Sequence, residues 1–151
     1  MLRERFSADL KDAIKAKDAQ RVSTLRLVSA AIKDRDIAAR SEDNAEGVPD
    51  VEILAILGKM IKQRQESAKA YEEGGRLDLA DQERDEIRII KGYLPRQMTD
   101  DEVRQAIARA IADTGAASIR DMGKVMAELK ARHPGKMDFA RASAAVKDVF
   151  C

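Results

Sequence analysis

Tryptophan is absent from this sequence, and aromatic residues as a whole reach only 3% of its 151 positions. Sheets rely on aromatic and β-branched side chains to fill their faces, so this scarcity beside 36% charged residues points to long charged helices. A single cysteine, Cys151, excludes an internal disulfide and a thiolate metal cluster, and reads as an exposed thiol in a reducing compartment. The single histidine, His133, stands directly before Pro134, and no histidine pair, zinc motif or Ser-His-Asp triad can be assembled around it. Eight glycines contain neither a dinucleotide fingerprint nor a phosphate-cradling loop. No catalytic residue, metal or cofactor is therefore assigned.

Long apolar runs are missing as well. No stretch approaches the ~18 consecutive apolar residues of a membrane helix, and the amino terminus, MLRERFSADLKDAIKAK, alternates charge with apolar residues where a signal peptide would be continuously apolar. The expectation is a cytoplasmic protein with no membrane role. A net charge of +1 provides no global field for nucleic acid, so any such contact must come from a local patch.

What is present is helical punctuation. The 44% of hydrophobic residues suffices for a core or two. Leu2, Phe6, Leu10, Ala13 and Ile14 recur at the spacing of one helix face. After a break near Asp18, a second stripe runs through Val22, Leu25, Val28, Ser29 and Ile32 and fades into a polar loop, Ser41 to Gly47. A long third helix spans about Val51 to Gly74, with apolar residues over so broad an arc that more than one neighbour must cover it. Gly74-Gly75 ends it, and a fourth helix carries Leu79, Glu83, Ile87, Ile90 and Leu94 near one face.

Pro95 then marks a boundary. Thr99-Asp-Asp-Glu102 reads as a capping box opening a fifth helix, with Val103, Ile107 and Ile111 facing in and a stop at Gly115. Ser118 is expected to cap a sixth helix lined by Ile119, Met122, Val125, Met126 and Leu129; Asp138 is expected to cap a seventh, with Phe139, Ser143, Val146 and Phe150 inward. The predicted architecture is all-α: an N-terminal multi-helix domain over residues 1–94, then a small three-helix bundle over 95–151. Acid pairs such as Glu72-Glu73, Asp85-Glu86 and Asp100-Asp101 read as solvated faces or caps, and Met60, Met122 and Met126 as packing.

One charge asymmetry remains. From Ser118 to Lys147 there are seven cations (Arg120, Lys124, Lys130, Arg132, Lys136, Arg141 and Lys147) against three acids (Asp121, Glu128 and Asp138). Helical spacing puts Arg120 and Lys124 side by side, opposite Met122 and Leu129. Like charges so placed repel by a few tenths of a kcal/mol, which a bound anion would relieve; a solvated face accounts for them equally well from the residues alone.

Lys15-Ala-Lys-Asp18, Arg21-Val-Ser-Thr-Leu-Arg-Leu27 and Ala30-Ala-Ile-Lys33 resemble the amino-terminal signature of the YqeY family. Lys62-Gln-Arg64, Ala70-Tyr-Glu72, Gly75-Arg76, Asp78-Leu-Ala80 and Tyr93-Leu-Pro95 continue the resemblance in order. Thr114-Gly115, Asp121-Met-Gly-Lys-Val-Met126, Gly135-Lys136, Asp138 and Val146-Lys147 are similar to the tail domain shared with the B subunit of the tRNA-dependent amidotransferase, with departures at His133-Pro134 and at Phe139-Ala-Arg-Ala. The resemblance implies an accessory protein of aminoacyl-tRNA metabolism whose tail binds tRNA or a translation-related partner, through Arg120, Lys124, Lys136, Arg141 and Lys147. Aminoacyl-tRNA synthetase or amidotransferase subunits are the implied protein partners. It also carries a carbon-nitrogen ligase label with glutamine as amide donor, for which this sequence has no ammonia-generating nucleophile and no ATP site. Complex-dependent ligase activity, and a protein-interaction module with no RNA role, are the alternatives.

Overall fold

The computed structural model describes residues 1–40 and 47–150. Most of the loop expected over Ser41–Gly47, and the thiol of Cys151, lie outside the described residues. The fold is all-α: α1 (Leu2–Lys15), α2 (Ala19–Arg40), α3 (Asp50–Glu73), α4 (Leu77–Lys91), α5 (Asp100–Thr114), a 3-10 turn (Ile119–Asp121), α6 (Met122–Arg132) and α7 (Phe139–Phe150), with no strand among the described residues. Packing divides it into two compact units, Met1–Leu94 and Pro95–Cys151, each with its own apolar core. No helix among the described residues is long and apolar enough to cross a membrane.

In the first unit the stripe on α1 turns Phe6 and Ala13 fully inward, with Leu2 and Leu10 packed against the same core. Ile14 departs from expectation and is half exposed. At about 100° per residue it stands about 80° around the helix from Phe6, past the edge of the buried arc. The junction to α2 is tight. The Lys17 N–H donates to the Ile14 carbonyl and the Asp18 N–H to that of Ala13, a left-handed helix stop in which Lys17 takes φ 57°. Asp18 Oδ1 then accepts the Arg21 N–H at 3.1 Å and caps α2.

Leu25, Val28 and Ile32 on α2 pack against Ile53, Leu57, Met60 and Ile61 of α3 and Ile87 and Ile90 of α4, so the broad apolar arc of α3 is covered from more than one side. Each fully buried aliphatic side chain contributes roughly 1.5–3 kcal/mol. Buried Thr24 is satisfied locally, its hydroxyl donating to the Gln20 carbonyl at 2.9 Å. Gly75, with φ 77°, is the left-handed residue that closes α3, while Gly74 stays right-handed. Across the α3–α4 hairpin, Arg64 Nε donates to Glu86 at 3.0 Å, the two side chains only 13% and 12% exposed. Glu83, on the predicted inner row of α4, is half-buried; desolvation, then the charge of Glu86, raises its carboxyl above the ordinary value.

Two polar pins close the unit. Arg3 holds both carboxylate oxygens of Asp36, at 2.7 and 2.6 Å, and donates to the Val48 carbonyl at 2.8 Å. Gly47 lies directly beside this pin with φ 86°, where a Cβ would meet Arg3 Nη2 at 2.7 Å, so only glycine fits. In the second pin the buried Tyr93 ring packs on Phe6, centroids 4.4 Å apart, with the Arg5 guanidinium 4.6 Å from its own centroid. Its hydroxyl donates to Asp9 Oδ2 at 2.5 Å and accepts from Arg21 at 3.4 Å.

Burial first, and then the hydrogen bond to Asp9, pushes the Tyr93 phenol up to about 12. A phenol with a raised pKa is stabilising in its neutral form, so its contribution is complete below about 10 and is lost as pH rises toward about 12. Tyr93→Phe is expected to cost about 1–2 kcal/mol in urea unfolding at neutral pH. The gap between variant and wild type should narrow between those two pH values; a gap that stays constant through that window would show that the hydroxyl is not held as described.

Candidate nucleic-acid interface

The second unit is built around Ile107, Ala110, Val125, Leu129, Met137, Ala142 and Val146. Thr99 and Glu102 form the expected capping box: the Glu102 N–H donates to Thr99 Oγ1 at 3.2 Å and the Thr99 N–H to Glu102 Oε1 at 3.1 Å. The backbone of residues 95–98 is tied to the turn before α7. Met98 N–H donates to the Lys136 carbonyl at 2.9 Å, and Gln97 Nε2 donates to the Gly135 carbonyl at 2.7 Å.

The entry to α6 differs from expectation. Ser118 makes no side-chain capping bond, and Ile119–Asp121 form a 3-10 turn before the α-helix begins at Met122. Asp121, at the N-cap of α6, makes no side-chain cap bond to that helix either; its Oδ2 reaches back across the 3-10 turn and accepts the Ala117 N–H at 2.9 Å. The tighter 3-10 winding takes Ile119 off the apolar stripe, and it is 45% exposed. The expected helical strip from Arg120 to Lys124 is corrected in the same way, because Arg120 belongs to the 3-10 turn and Lys124 to the first turns of α6. Asp138 caps α7 as expected, Oδ1 accepting the Ala140 N–H at 3.0 Å.

Arg120, Lys124, Arg141 and Lys147 are exposed and Lys136 is half-buried. Lys136 sits on the turn pinned to residues 97 and 98, so its backbone is fixed. Arg141 and Lys147 both lie on α7, but six residues separate them by about 120° around the helix and about 9 Å along it. The five cations therefore form a scattered basic surface and are not gathered into one strip.

Two of them, Arg120 and Arg141, differ from most other arginines of the chain in their electrostatic setting. Most arginines of the chain are held by a carboxylate. Arg132, counted among the tail's cations, is itself taken by Asp113 at 2.8 Å and Glu128 at 2.6 Å. Among the described residues none of the five proposed contacts makes an ion pair. Lys124 lies near Asp121, whose carboxyl is held below its ordinary value by the Ala117 and Ser118 backbone N–H groups and then by Lys124, and Asp138 lies one turn before Arg141. Setting aside the Arg132–Glu128 pair leaves six cations and two carboxylates over Ser118–Lys147. Such a surface offers point charges to phosphates and no chemistry of its own, and no group of three or more metal-ligating side chains occurs among the described residues.

Sequence reading missed Asp121, the residue that organises this entry, because a carboxylate shortly after a serine looks like surface charge until the 3-10 turn folds it back.

A family model described as Yqey-like protein matches residues 3–150. Among curated relatives, the chain is similar to altered inheritance of mitochondria protein 41, mitochondrial, from Clavispora lusitaniae, at 30% identity over 113 residues, covering 74% of this chain and 63% of the relative. The protein of the same name from Lachancea thermotolerans is 36% identical over 86 residues, covering 57% of this chain and 44% of the relative. That from Meyerozyma guilliermondii is 29% identical over 139 residues, covering 88% and 70%. The chain thus spans less than two thirds of the length of the first two. All three relatives are named as mitochondrial, which overturns the expectation of a cytoplasmic location: alternation of charge and apolar residues at an amino terminus carries no address.

The depressed Asp121 carboxyl stabilises the tail above its ordinary value of 3.8, and that contribution is lost as pH falls through the lower folded value. Asp121→Ala should lower amide-exchange protection at Val125 and Leu129 at neutral pH, and the difference from wild type should shrink below pH 3.8. Equal protection in both proteins at neutral pH would show that Asp121 does not hold the entry to α6.

Proposed function

This chain belongs to the Yqey-like protein family, and from that premise we propose that it is an accessory protein of aminoacyl-tRNA metabolism whose tail contacts tRNA phosphates. The observation that carries this reading is the absence of ion pairs on Arg120 and Arg141 among the described residues, in a chain that neutralises most of its arginines, with Lys124, Lys136 and Lys147 adding positive charge on the same unit. Unpaired cations on a rigid helical unit release counterions when phosphates replace them, and that gain requires neither a pocket nor a nucleophile. The residues that resemble the amidotransferase tail fall on this same unit, which supports RNA as the anion. Any amide-forming chemistry would come from partner subunits, an amidotransferase or an aminoacyl-tRNA synthetase.

Arg120, Lys124 and Lys136 changed together to alanine should leave helicity intact, since surface substitutions of this kind change stability by only about 0.5 kcal/mol each. Binding to tRNA at low salt should weaken. The logarithmic salt dependence should flatten by roughly 0.7 to 0.9 for each phosphate that is no longer neutralised. A triple variant with unchanged affinity and unchanged slope would reduce these residues to a solvated face and make the protein-interaction reading the leading one.

A further inference from the structure

A second unneutralised basic feature lies in the first unit. The end of α1 and the first half of α2 enclose an open groove of about 670 Å³, whose walls include Ile14, Ala19, Val22 and Leu27 and whose polar lining includes Lys17 and Arg26. Ile14 and Leu27 are 49% and 46% exposed. Leu27 lies about 60° around α2 from the buried Thr24 and about 100° from Val28, at the edge of the buried arc and on the wall of the groove. Ile14 and Leu27 give the groove half-exposed aliphatic walls.

The charge of the groove selects its occupant. No acidic side chain lines it, and neither Lys17 nor Arg26 makes an ion pair among the described residues. Asp18, next in sequence to Lys17, is turned to its own helix, capping the Arg21 N–H. Lys17 carries a second, independent mark. It is the single non-glycine residue with positive φ among the described residues, while Gly47, Gly75, Gly115 and Gly135 fill the other such positions. Glycine at this turn would relax the backbone. The lysine at this position adds a cation to the lining of the groove.

We propose that this groove docks an acidic helical segment of a partner protein, an aliphatic side chain entering between Ile14 and Leu27 while carboxylates face Lys17 and Arg26. Helix-in-groove recognition places its apolar anchors one turn apart, and the flanking charges set orientation and partner choice. Because the groove belongs to the first unit, it is independent of the tail's phosphate contacts.

The test uses the full chain and a displayed library of random peptides a few helical turns long, with selection against Leu27→Ser to remove peptides that bind elsewhere. The expected products combine aliphatic residues at helical spacing with Asp and Glu. A synthetic peptide of that sequence should bind Leu27→Ser about tenfold more weakly than wild type. Lys17→Gly should bind it a few fold more weakly, with a thermal midpoint equal to or above that of wild type, which separates a weakened interface from an unfolded protein. Selection that yields no Leu27-dependent peptide, or yields basic ones, overturns the proposal. So does a homodimer that Leu27→Ser dissociates, or single-stranded RNA held by Lys17 and Arg26 with no dependence on Leu27.

Discussion

The hydrogen bond from the Tyr93 hydroxyl to Asp9 closes the first unit, and the arrangement of its helices follows from it. Four helices with aliphatic faces can slide along one another at little cost, because methyl and methylene groups set no unique register. A buried phenol that must find its acceptor does set one. Tyr93 comes just after α4, Asp9 lies on α1 and Arg21 on α2, so one hydroxyl fixes three elements, while Phe6 and Arg5 sandwich its ring. The Arg3, Asp36 and Val48 set does the same at the start of α1. The Arg64–Glu86 pair between α3 and α4 is nearly buried, and its value lies in fixing how the two helices face each other more than in net stability.

The same economy explains where charge is left over. Arginine after arginine in this chain is committed to a carboxylate across a helix pair or one turn away, as with Arg84 to Glu72 and Arg132 to Glu128. Exposed pairs of this kind contribute little individually, yet together they leave a surface whose remaining free cations stand out. Arg120 and Arg141 on the tail and Arg26 in the groove of the first unit are of that kind. In a protein whose net charge is only +1, recognition of an anionic partner has to come from such local vacancies in the pairing pattern.

Most of the fold is legible in the sequence, since every helix has an apolar stripe of period 3.6 and most have a readable terminus. The Thr99 box, the Asp138 cap and the stop at Gly115 are local signals, and local signals survive folding. What cannot be read are contacts made by residues outside the helices. Val48, Tyr93 and Met137 are buried from loop positions where periodicity says nothing. Ile14 and Ile119 read as inward only when the stripe is extended to its outermost apolar residue, past the edge of the arc at the end of α1 and back into the 3-10 turn before α6. As for the candidate site, its cations are visible as composition, but their freedom from ion pairs is a three-dimensional property: Arg132 and Arg120 look alike in the sequence, and only the fold gives Asp113 to one and leaves the other open.

The tail's unpaired cations, as the surface that meets RNA, are tested most directly by an amide NMR titration of the full chain with unmodified tRNA at low salt, followed residue by residue. Saturable shifts are expected between Ser118 and Lys147, strongest around Arg120, Lys124 and Lys136, and reversed by added salt. Shifts confined to residues 1–94, or a spectrum unchanged by tRNA at low salt, would contradict this role.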